Sequence, residues 1–230
     1  MIMPIFRLNK ELSFPDPSYA EEEGILAIGG DLSVDRLILA YANGIFPWPR
    51  KGAPILWWSP DPRMVLFPED FKVSKSLRQL IRSGKYSYTI DQDFTSVIQN
   101  CAKIPRKGQD DTWIIDEMLE AYIRLHREGF AHSVETRQDG KLIGGLYGVS
   151  IGRAFFGESM FFHSRDASKF ALYHLVKLLK HWDFELIDAQ QDTDHMRSLG
   201  AINMPRDEFM ERLEKAIAYP TYKGNWNNYL

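Results

Sequence analysis

The hydrophobic pattern of this chain centres on residues 142–162, where two apolar runs flank a turn. The runs cover residues 142–149 and 154–156, and residues 151–153 between them favour a turn. This arrangement predicts two adjacent strands joined by a tight connection. Glycines in the strands would let a ligand or another backbone approach closely; they are Gly144, Gly145, Gly148 and Gly157.

Apolar periodicity also predicts the elements around this hairpin. Ser33 precedes a helical pattern that ends at Gly44, and Ser74 precedes one that ends near Ser83, so both serines are expected to cap helices. Further helices are expected at 94–102, 116–126, from 166 onward and around 209–217, and strands at 64–67, 86–90, 131–137 and 184–189. A hairpin followed by a helix and another strand predicts an α+β fold.

Prolines and aromatic residues are frequent between residues 45 and 62. Segments 45–49 and 55–62 carry prolines that hold the backbone extended, and we expect their aromatic rings to be presented from rigid loops. From Arg63 the pattern becomes mixed α and β. We therefore predict a small N-terminal domain over 1–62 and a larger domain over 63–230.

Composition narrows the class of protein. A hydrophobic content of 44% and a charged content of 26% are typical of a globular chain. The net charge of −3 excludes a uniformly basic nucleic-acid binder but leaves room for a local basic patch. Cys101 is the only cysteine, no apolar run approaches the roughly 20 residues of a membrane span, and the start lacks a signal-peptide pattern. We expect a cytoplasmic protein that is not in the membrane.

Two carboxylates and one amide are the main candidates for chemistry. Glu158 lies in the apolar hairpin, where a charge is rarely buried without a partner or a function. Asp188 and Gln190 lie two residues apart in a predicted strand, so we expect both on one face. Glu158 could bind an ammonium group, while Asp188 orients Gln190 toward an attacking amine. The same residues could instead be a satisfied structural carboxylate and a polar strand edge.

Other chemistries have less support. The six histidines show no His-Glu-x-x-His spacing, and neither a P-loop nor a G-x-G-x-x-G follows a strand, so we expect no metal site and no nucleotide hydrolysis. A nucleophilic Cys101 stays open, although an isolated cysteine is more often a packing residue. Helical spacing puts three cations, continued by Lys85, on one stripe that is either a solvated face or a phosphate-binding strip. They are Lys75, Arg78 and Arg82.

Six motifs occur together and in order along roughly residues 14–210. They are GILAIGGDL at 24–32, GIFPW at 44–48, LWWSPDPR at 56–63, GGLYGV at 144–149, GESMF at 157–161 and LIDAQ at 186–190. Their combination closely resembles the leucyl/phenylalanyl-tRNA–protein transferase family. The resemblance implies a small loop-rich N-terminal domain followed by a GNAT-type acyltransferase domain with a mixed, mostly antiparallel sheet.

The resemblance also implies an activity. Leu or Phe, and less well Met, would pass from aminoacyl-tRNA to the N-terminal Arg or Lys of an acceptor protein, which marks the acceptor for N-degron degradation. The acceptor α-amine would attack the aminoacyl ester directly, without a cofactor, and we expect a monomer.

Functional residues carry over by position from the resemblance. Asp188 and Gln190 match the catalytic relay, and Glu158 matches the residue that holds the α-amino group of the donor. Trp48 and Trp113 match the aromatic residues around the terminal adenosine of the tRNA. The pocket for the donor side chain is matched by Leu146, Phe155, Met160, Leu175 and Ile187. The acceptor stem would contact Lys75, Arg78 and Arg82.

Departures from the family concern the edges of the site. Leu146 and Leu175 stand where many members have Met and Phe, which bears on the breadth of the pocket. Thr193 replaces an Asn that buttresses the catalytic Asp in some members, and Ser83 replaces a basic residue.

Two alternatives remain open. A coenzyme A-dependent N-acetyltransferase would use the same fold, but it normally needs a glycine-rich turn for the pyrophosphate, and residues 162–167 contain no glycine. A non-catalytic RNA-binding module would leave the inward Glu158, Asp188 and Gln190 without a role.

Overall fold

The computed structural model describes residues 5–49, 52–104 and 114–230. Before residue 63 the chain forms a four-stranded sheet with one helix: β1 (Phe6–Leu8), β2 (Ile25–Gly29), α1 (Val34–Ala42), β3 (Phe46–Pro47) and β4 (Leu56–Trp58), in the order β1-β2-β4-β3. Trp57 on β4 is fully buried, and its Nε1–H donates to the carbonyl of Gly29 over 2.8 Å. The prediction that the aromatic rings of this segment project from loops is therefore wrong for Trp57.

A seven-stranded sheet and six α-helices follow in the described residues. They are β5 (Arg63–Leu66), α2 (Lys75–Ser83), β6 (Ser87–Ile90), α3 (Phe94–Lys103), α4 (Asp116–Arg127), β7 (Ala131–Gln138), β8 (Lys141–Ile151), β9 (Ala154–Phe162), α5 (Ala167–His181), β10 (Leu186–Gln190), α6 (Asp194–Ser198), β11 (Ile202–Met204) and α7 (Arg206–Ile217). The strand order is β11-β5-β10-β9-β8-β7-β6. Strands β9 and β10 are parallel and the other pairs are antiparallel, which confirms the α+β class with a mixed, mostly antiparallel sheet.

Differences from the predicted elements have local causes. The strand expected at 184–189 begins at Leu186, because Phe184 still donates its backbone N–H to the carbonyl of Leu179 and so closes the end of α5. The pattern did not predict α6 and β11, which have five and three residues and therefore show little periodicity.

Side-chain caps fix where two of the helices begin. The Ser33 hydroxyl accepts the backbone N–H of Arg36 over 3.4 Å, and the Ser74 hydroxyl accepts that of Leu77 over 3.2 Å. Both predicted N-caps are confirmed. None of the helices in the described part of the chain is both long and apolar enough to cross a membrane.

The larger sheet separates two hydrophobic cores, because neighbouring residues of a strand point to opposite faces. Phe155 and Ile187 point to the face covered by α5, and Phe156 and Leu186 point to the other face. Helices α1, α3, α4 and α7 contribute to that second core. Strands β9 and β10 contribute side chains to both cores, and their parallel pairing ends at Phe156 and Asp188. Beyond this pair the two strands carry Glu158 and Gln190.

We expect Gly148→Ala to destabilise the fold, because a Cβ at this position would lie 2.3 Å from the Phe156 carbonyl oxygen and 2.6 Å from the Phe155 ring. Such overpacking costs about 1–3 kcal/mol, which thermal unfolding would show as a lower Tm. The matched control is Gly157→Ala on the facing strand, where the nearest atom would be 3.6 Å away. Equal Tm values for the two variants would contradict this account.

Candidate active site

Glu158 is the centre of a buried hydrogen-bond network. It lies at a bulge of β9, where Tyr147 pairs with Ser159 but the next residue of β8 pairs with Gly157. The side-chain oxygen Oε1 accepts from the Tyr41 hydroxyl and from Gln190 Nε2, both over 2.7 Å. The other oxygen, Oε2, accepts from the Tyr122 hydroxyl over 3.0 Å. Helices α1 and α4 and the end of β10 therefore converge on this carboxyl group.

Burial raises the pKa of Glu158 to about 7, against the lowering effect of the hydrogen bonds from Tyr41, Tyr122 and Gln190. The negative charge of Asp188 adds to the rise. Burial likewise holds the pKa of both tyrosines well above the ordinary value, so their hydroxyls keep their protons. The carboxyl group can therefore gain or lose a proton near neutral pH, while its tyrosine neighbours stay neutral.

The proton count around Glu158 agrees with this shift. The Tyr41 and Tyr122 hydroxyl oxygens also contact each other within hydrogen-bond distance. When both hydroxyls donate to an ionised Glu158, no proton is left for the contact between them. A proton on Glu158 completes a ring of three hydrogen bonds among the three side chains. The network therefore accommodates one additional proton when one tyrosine hydroxyl turns toward the other, with no movement of the non-hydrogen atoms.

Asp188 is fully buried in a bidentate ion pair with Arg63. Arg63 Nε donates to Oδ1 over 2.8 Å, and a terminal guanidinium nitrogen donates to Oδ2 over 2.7 Å. The other terminal nitrogen donates to the carbonyl of Gly44 over 3.0 Å. The guanidinium lies between the rings of Phe46 and Phe209, with its carbon 4.8 and 4.7 Å from their centroids. Asp188 is thus held rigidly and is closed to solvent.

Gln190 is positioned through its backbone as well as its side chain. Its N–H donates to Asp188 Oδ1 over 2.9 Å, and its φ of 64° lies in the left-handed region. Strand β10 is bulged between Asp188 and Gln190, so a simple period of two does not apply there. We expected the side chains of Asp188 and Gln190 to share one face of the strand. In the structure they make different contacts: Asp188 pairs with Arg63, and Gln190 Nε2 donates to Glu158. With Nε2 engaged, Gln190 Oε1 is the atom that can accept a further hydrogen bond.

A largely apolar cavity of about 450 Å³ adjoins Glu158. It contains all five side chains expected for the donor pocket: Leu146, Phe155, Met160, Leu175 and Ile187. Sequence reasoning missed other lining residues, which include Tyr147, Leu172, His195 and Met196. A larger groove of about 660 Å³ lies at the start of β10 and along α7. Glu158 lines the smaller cavity and not this groove, while Asp188 and Gln190 are in the lining of neither. The smaller cavity is therefore the candidate site.

Four other residues expected at the site lie apart from this cavity: Trp48, Lys75, Arg78 and Arg82. Trp48 follows β3 in the smaller sheet, half-buried, with its ring 5.9 Å from that of Trp58, and it does not line the cavity. Trp113 lies outside the described residues. Lys75, Arg78 and Arg82 are exposed on α2, which packs against α5 through Leu77.

The loop between β9 and α5 bears on the coenzyme A alternative. Asp166 is the residue before α5, and its carboxylate lies within 3.3 Å of Lys169 and 3.7 Å of Arg165. A coenzyme A pyrophosphate would need the helix N-terminus for its own negative charge. The carboxylate of Asp166 is therefore unfavourable for that ligand.

Sequence reasoning missed the three residues that hold the candidate catalytic groups: Tyr41, Tyr122 and Arg63. Tyr41 and Tyr122 stand at apolar positions of amphipathic helices, where the pattern indicates packing alone. Arg63 is the last residue of the LWWSPDPR motif, and the motif alone indicates no role for it. The signal in each case is a polar atom on a position predicted to be buried, which requires a hydrogen-bond partner.

Comparison with solved structures gives distant matches. A GCN5-related N-acetyltransferase from Kribbella flavida matches with a TM-score of 0.37 and 10% identity, covering 74% of this chain and 59% of that chain. The GNAT-type acyltransferase fold therefore stays the prediction that the family resemblance makes for the larger sheet.

Comparison with protein families and curated sequences gives close matches. The model described as leucyl/phenylalanyl-tRNA protein transferase matches residues 65–214, and the model of its N-terminal domain matches residues 30–61. A leucyl/phenylalanyl-tRNA–protein transferase from Anaeromyxobacter sp. (strain Fw109-5) is 55% identical over 225 residues, which cover 98% of this chain and 96% of the relative. Another, from Syntrophobacter fumaroxidans, is 52% identical over 224 residues, which cover 97% and 96%. The resemblance expected from the motifs is confirmed, and the chain belongs to the leucyl/phenylalanyl-tRNA–protein transferase family.

Proposed function

We propose that this protein transfers Leu or Phe from aminoacyl-tRNA to the N-terminal Arg or Lys of an acceptor protein. The observation that carries the proposal is the contact between an apolar cavity and the Glu158 network. A donor amino acid such as Leu or Phe needs an apolar cavity for its side chain and a carboxylate for its α-amino group. These two features must lie within the length of one residue.

The donor amino acid is held by its two ends. Its side chain enters the cavity, which discriminates by shape and so admits Met less well. Three hydrogen bonds occupy Glu158, and a carboxylate offers about four acceptor positions. The remaining position accepts a hydrogen bond from the donor α-ammonium group. The ester carbonyl then lies beside Gln190, which donates to the same carboxylate.

Attack by the acceptor needs orientation more than a strong base. An α-amino group has a pKa of about 7.7–8.0, so an appreciable fraction is neutral at physiological pH. Gln190 Oε1 accepts a hydrogen bond from the acceptor amine and directs its lone pair at the ester carbon. The N–C bond forms, the C–O bond of the ester breaks, and the terminal ribose hydroxyl of the tRNA takes the proton that the amine loses. Asp188 acts by holding the backbone of Gln190.

The tRNA is bound by charge and by stacking. Lys75, Arg78 and Arg82 contact the acceptor stem, which gives affinity without base specificity. Trp48 and Trp113 flank the terminal adenosine, where stacking contributes about 1–3 kcal/mol per base.

The cellular setting follows from this activity. Transfer marks acceptors for N-degron degradation in the cytoplasm, where charged tRNA and nascent proteins are found together. We propose that the protein acts as a monomer and that its domains meet near residue 62. Coenzyme A-dependent acetylation is the alternative, and the Asp166 carboxylate at the start of α5 argues against it.

Transfer of radiolabelled Leu or Phe from charged tRNA to a peptide that begins with Arg tests the proposal. We expect wild-type protein to incorporate label, and Gln190→Ala to lower kcat/KM by about 10²–10³-fold with tRNA binding unchanged, because the amine loses its orienting acceptor. The matched control is Gln191→Ala, the adjacent glutamine, which should keep full activity. Acetylation of the same peptide with acetyl-coenzyme A, and no aminoacyl transfer, would replace the proposal by the alternative.

Binding of the donor should depend on pH through Glu158, whose pKa is raised to about 7. Its carboxyl group is neutral below that pH and ionised above it, and only the ionised form pairs with an ammonium group. An amide-linked phenylalanyl-adenosine analogue should therefore bind roughly sixfold more tightly at pH 7.5 than at pH 6, with weakening at higher pH as the ligand amine, whose pKa is about 7.7–8.0, loses its proton.

Glu158→Gln is the matched variant for this measurement, since it keeps the shape of the side chain and removes the titration. Its affinity for the analogue should be lower at pH 7.5 and nearly flat between pH 6 and 7.5. A flat profile for the wild-type protein would refute the role given to Glu158.

Salt dependence tests the basic stripe on α2. Replacing Lys75, Arg78 and Arg82 by Ala should weaken tRNA binding at low salt and reduce the slope of log K against log salt by about 0.7–0.9 for each phosphate that is no longer neutralised. Binding of the amide-linked adenosine analogue, which lacks the stem, should not change. An unaltered slope would identify the stripe as an ordinary solvated face. Lys10→Ala, at an exposed position just after β1, removes one positive charge and is the control for the single substitution Lys75→Ala.

A further inference from the structure

Phe155, a wall of the donor cavity, is supported from behind by a residue near the C-terminal end of the chain. The Phe155 side chain is buried, and its ring centroid lies 6.0 Å from that of Trp226. Close to the ring, a Cβ on Gly148 would lie 2.6 Å from its Cε1 and Cζ atoms. The ring is therefore confined by the backbone of β8 and by the indole of Trp226.

Trp226 is itself anchored by polar contacts, although its side chain is fully buried in the core. Its backbone N–H donates to Asp91 Oδ2 over 2.9 Å, and its indole N–H donates to the carbonyl of Tyr222 over 3.0 Å. Its ring stacks on His132 at 3.9 Å and 12°, and His132 Nδ1 bonds to the same Asp91 oxygen over 2.8 Å. The position of the indole is thus fixed by β7 and by the residue after β6.

We infer that Trp226 is a specificity-determining positioning residue, which sets the depth of the donor cavity through Phe155 and so sets the preference between Leu and Phe. This inference rests on the proposed function. Trp226 does not line the cavity, so it touches no substrate and acts only through the Phe155 ring. Because interiors are close-packed, a Phe155 ring that loses its support can move back and leave room for a longer donor side chain.

The effect should be a change in preference rather than a general loss of activity. In Trp226→Leu the cavity gains depth, so an aromatic donor side chain gains contacts while a leucine side chain leaves part of the space empty. A methylene-sized change in such a pocket alters selectivity by about 10–200-fold, and an indirect change should alter the Leu-to-Phe ratio by about five- to tenfold toward Phe.

The experiment measures binding of amide-linked leucyl- and phenylalanyl-adenosine analogues, together with transfer in competition from Leu- and Phe-charged tRNA. Each measurement is expressed as the ratio of the Leu value to the Phe value for the same protein sample. A smaller folded fraction lowers both values equally and leaves the ratio unchanged. The matched control is Tyr222→Leu, which removes a ring that contacts Trp182 and Phe184 and leaves the carbonyl that holds the indole. Trp226→Phe, a milder change, provides a second variant with a smaller shift in the same direction.

A double-mutant cycle identifies the route of the effect. If Trp226 acts through Phe155, then Trp226→Leu should shift the ratio in the wild-type background and add little in Phe155→Leu. An unchanged ratio in both Trp226 variants, an equal shift in Tyr222→Leu, or full additivity with Phe155→Leu would each overturn the inference. Analogue binding with the expected shift but without transfer would support the inference and refute the proposed reaction.

Discussion

The buried ion pair between Arg63 and Asp188 is the interaction on which the rest of the site depends. Each charge is fully buried, and removing one partner of such a pair typically costs about 3–5 kcal/mol because the other is left uncompensated. Arg63 also reaches the Gly44 carbonyl at the end of α1, while Asp188 holds the backbone of Gln190. One guanidinium group therefore connects the last turn of α1, strands β5 and β10, and the backbone of Gln190.

Glu158 is held by residues that lie far from it along the chain. Its partners Tyr41, Tyr122 and Gln190 are 117, 36 and 32 residues away along the chain. Helices and a strand end that are fixed by separate contacts bring them together, so little movement is needed when a ligand arrives. The parallel strands β9 and β10 separate at the point where the network lies, and the bulges on each strand turn Glu158 and Gln190 toward each other.

Much of this arrangement follows from the sequence, and the part that does not has physical reasons. The hairpin at 142–162, the caps at Ser33 and Ser74 and the fold class could be predicted, because they depend on local periodicity and on short-range hydrogen bonds. The hairpin pattern and the motifs indicated Glu158, Asp188 and Gln190 as candidate site residues. Their partners could not be found in this way, since a tyrosine on an apolar helix face has the same pattern whether its hydroxyl is used or not. The bulge that separates the roles of Asp188 and Gln190 depends on pairing with β5, which local sequence does not report.

The contacts of Tyr41 and Gly44 have a consequence for the evolution of the fold. The larger sheet contains Glu158, Asp188 and Gln190, yet without α1 and its last turn Glu158 would lose a tyrosine hydroxyl and Arg63 would lose a carbonyl. A substitution in α1 can therefore disturb buried polar groups of the larger sheet. The residues of α1 and those around Glu158 and Arg63 are constrained to change together.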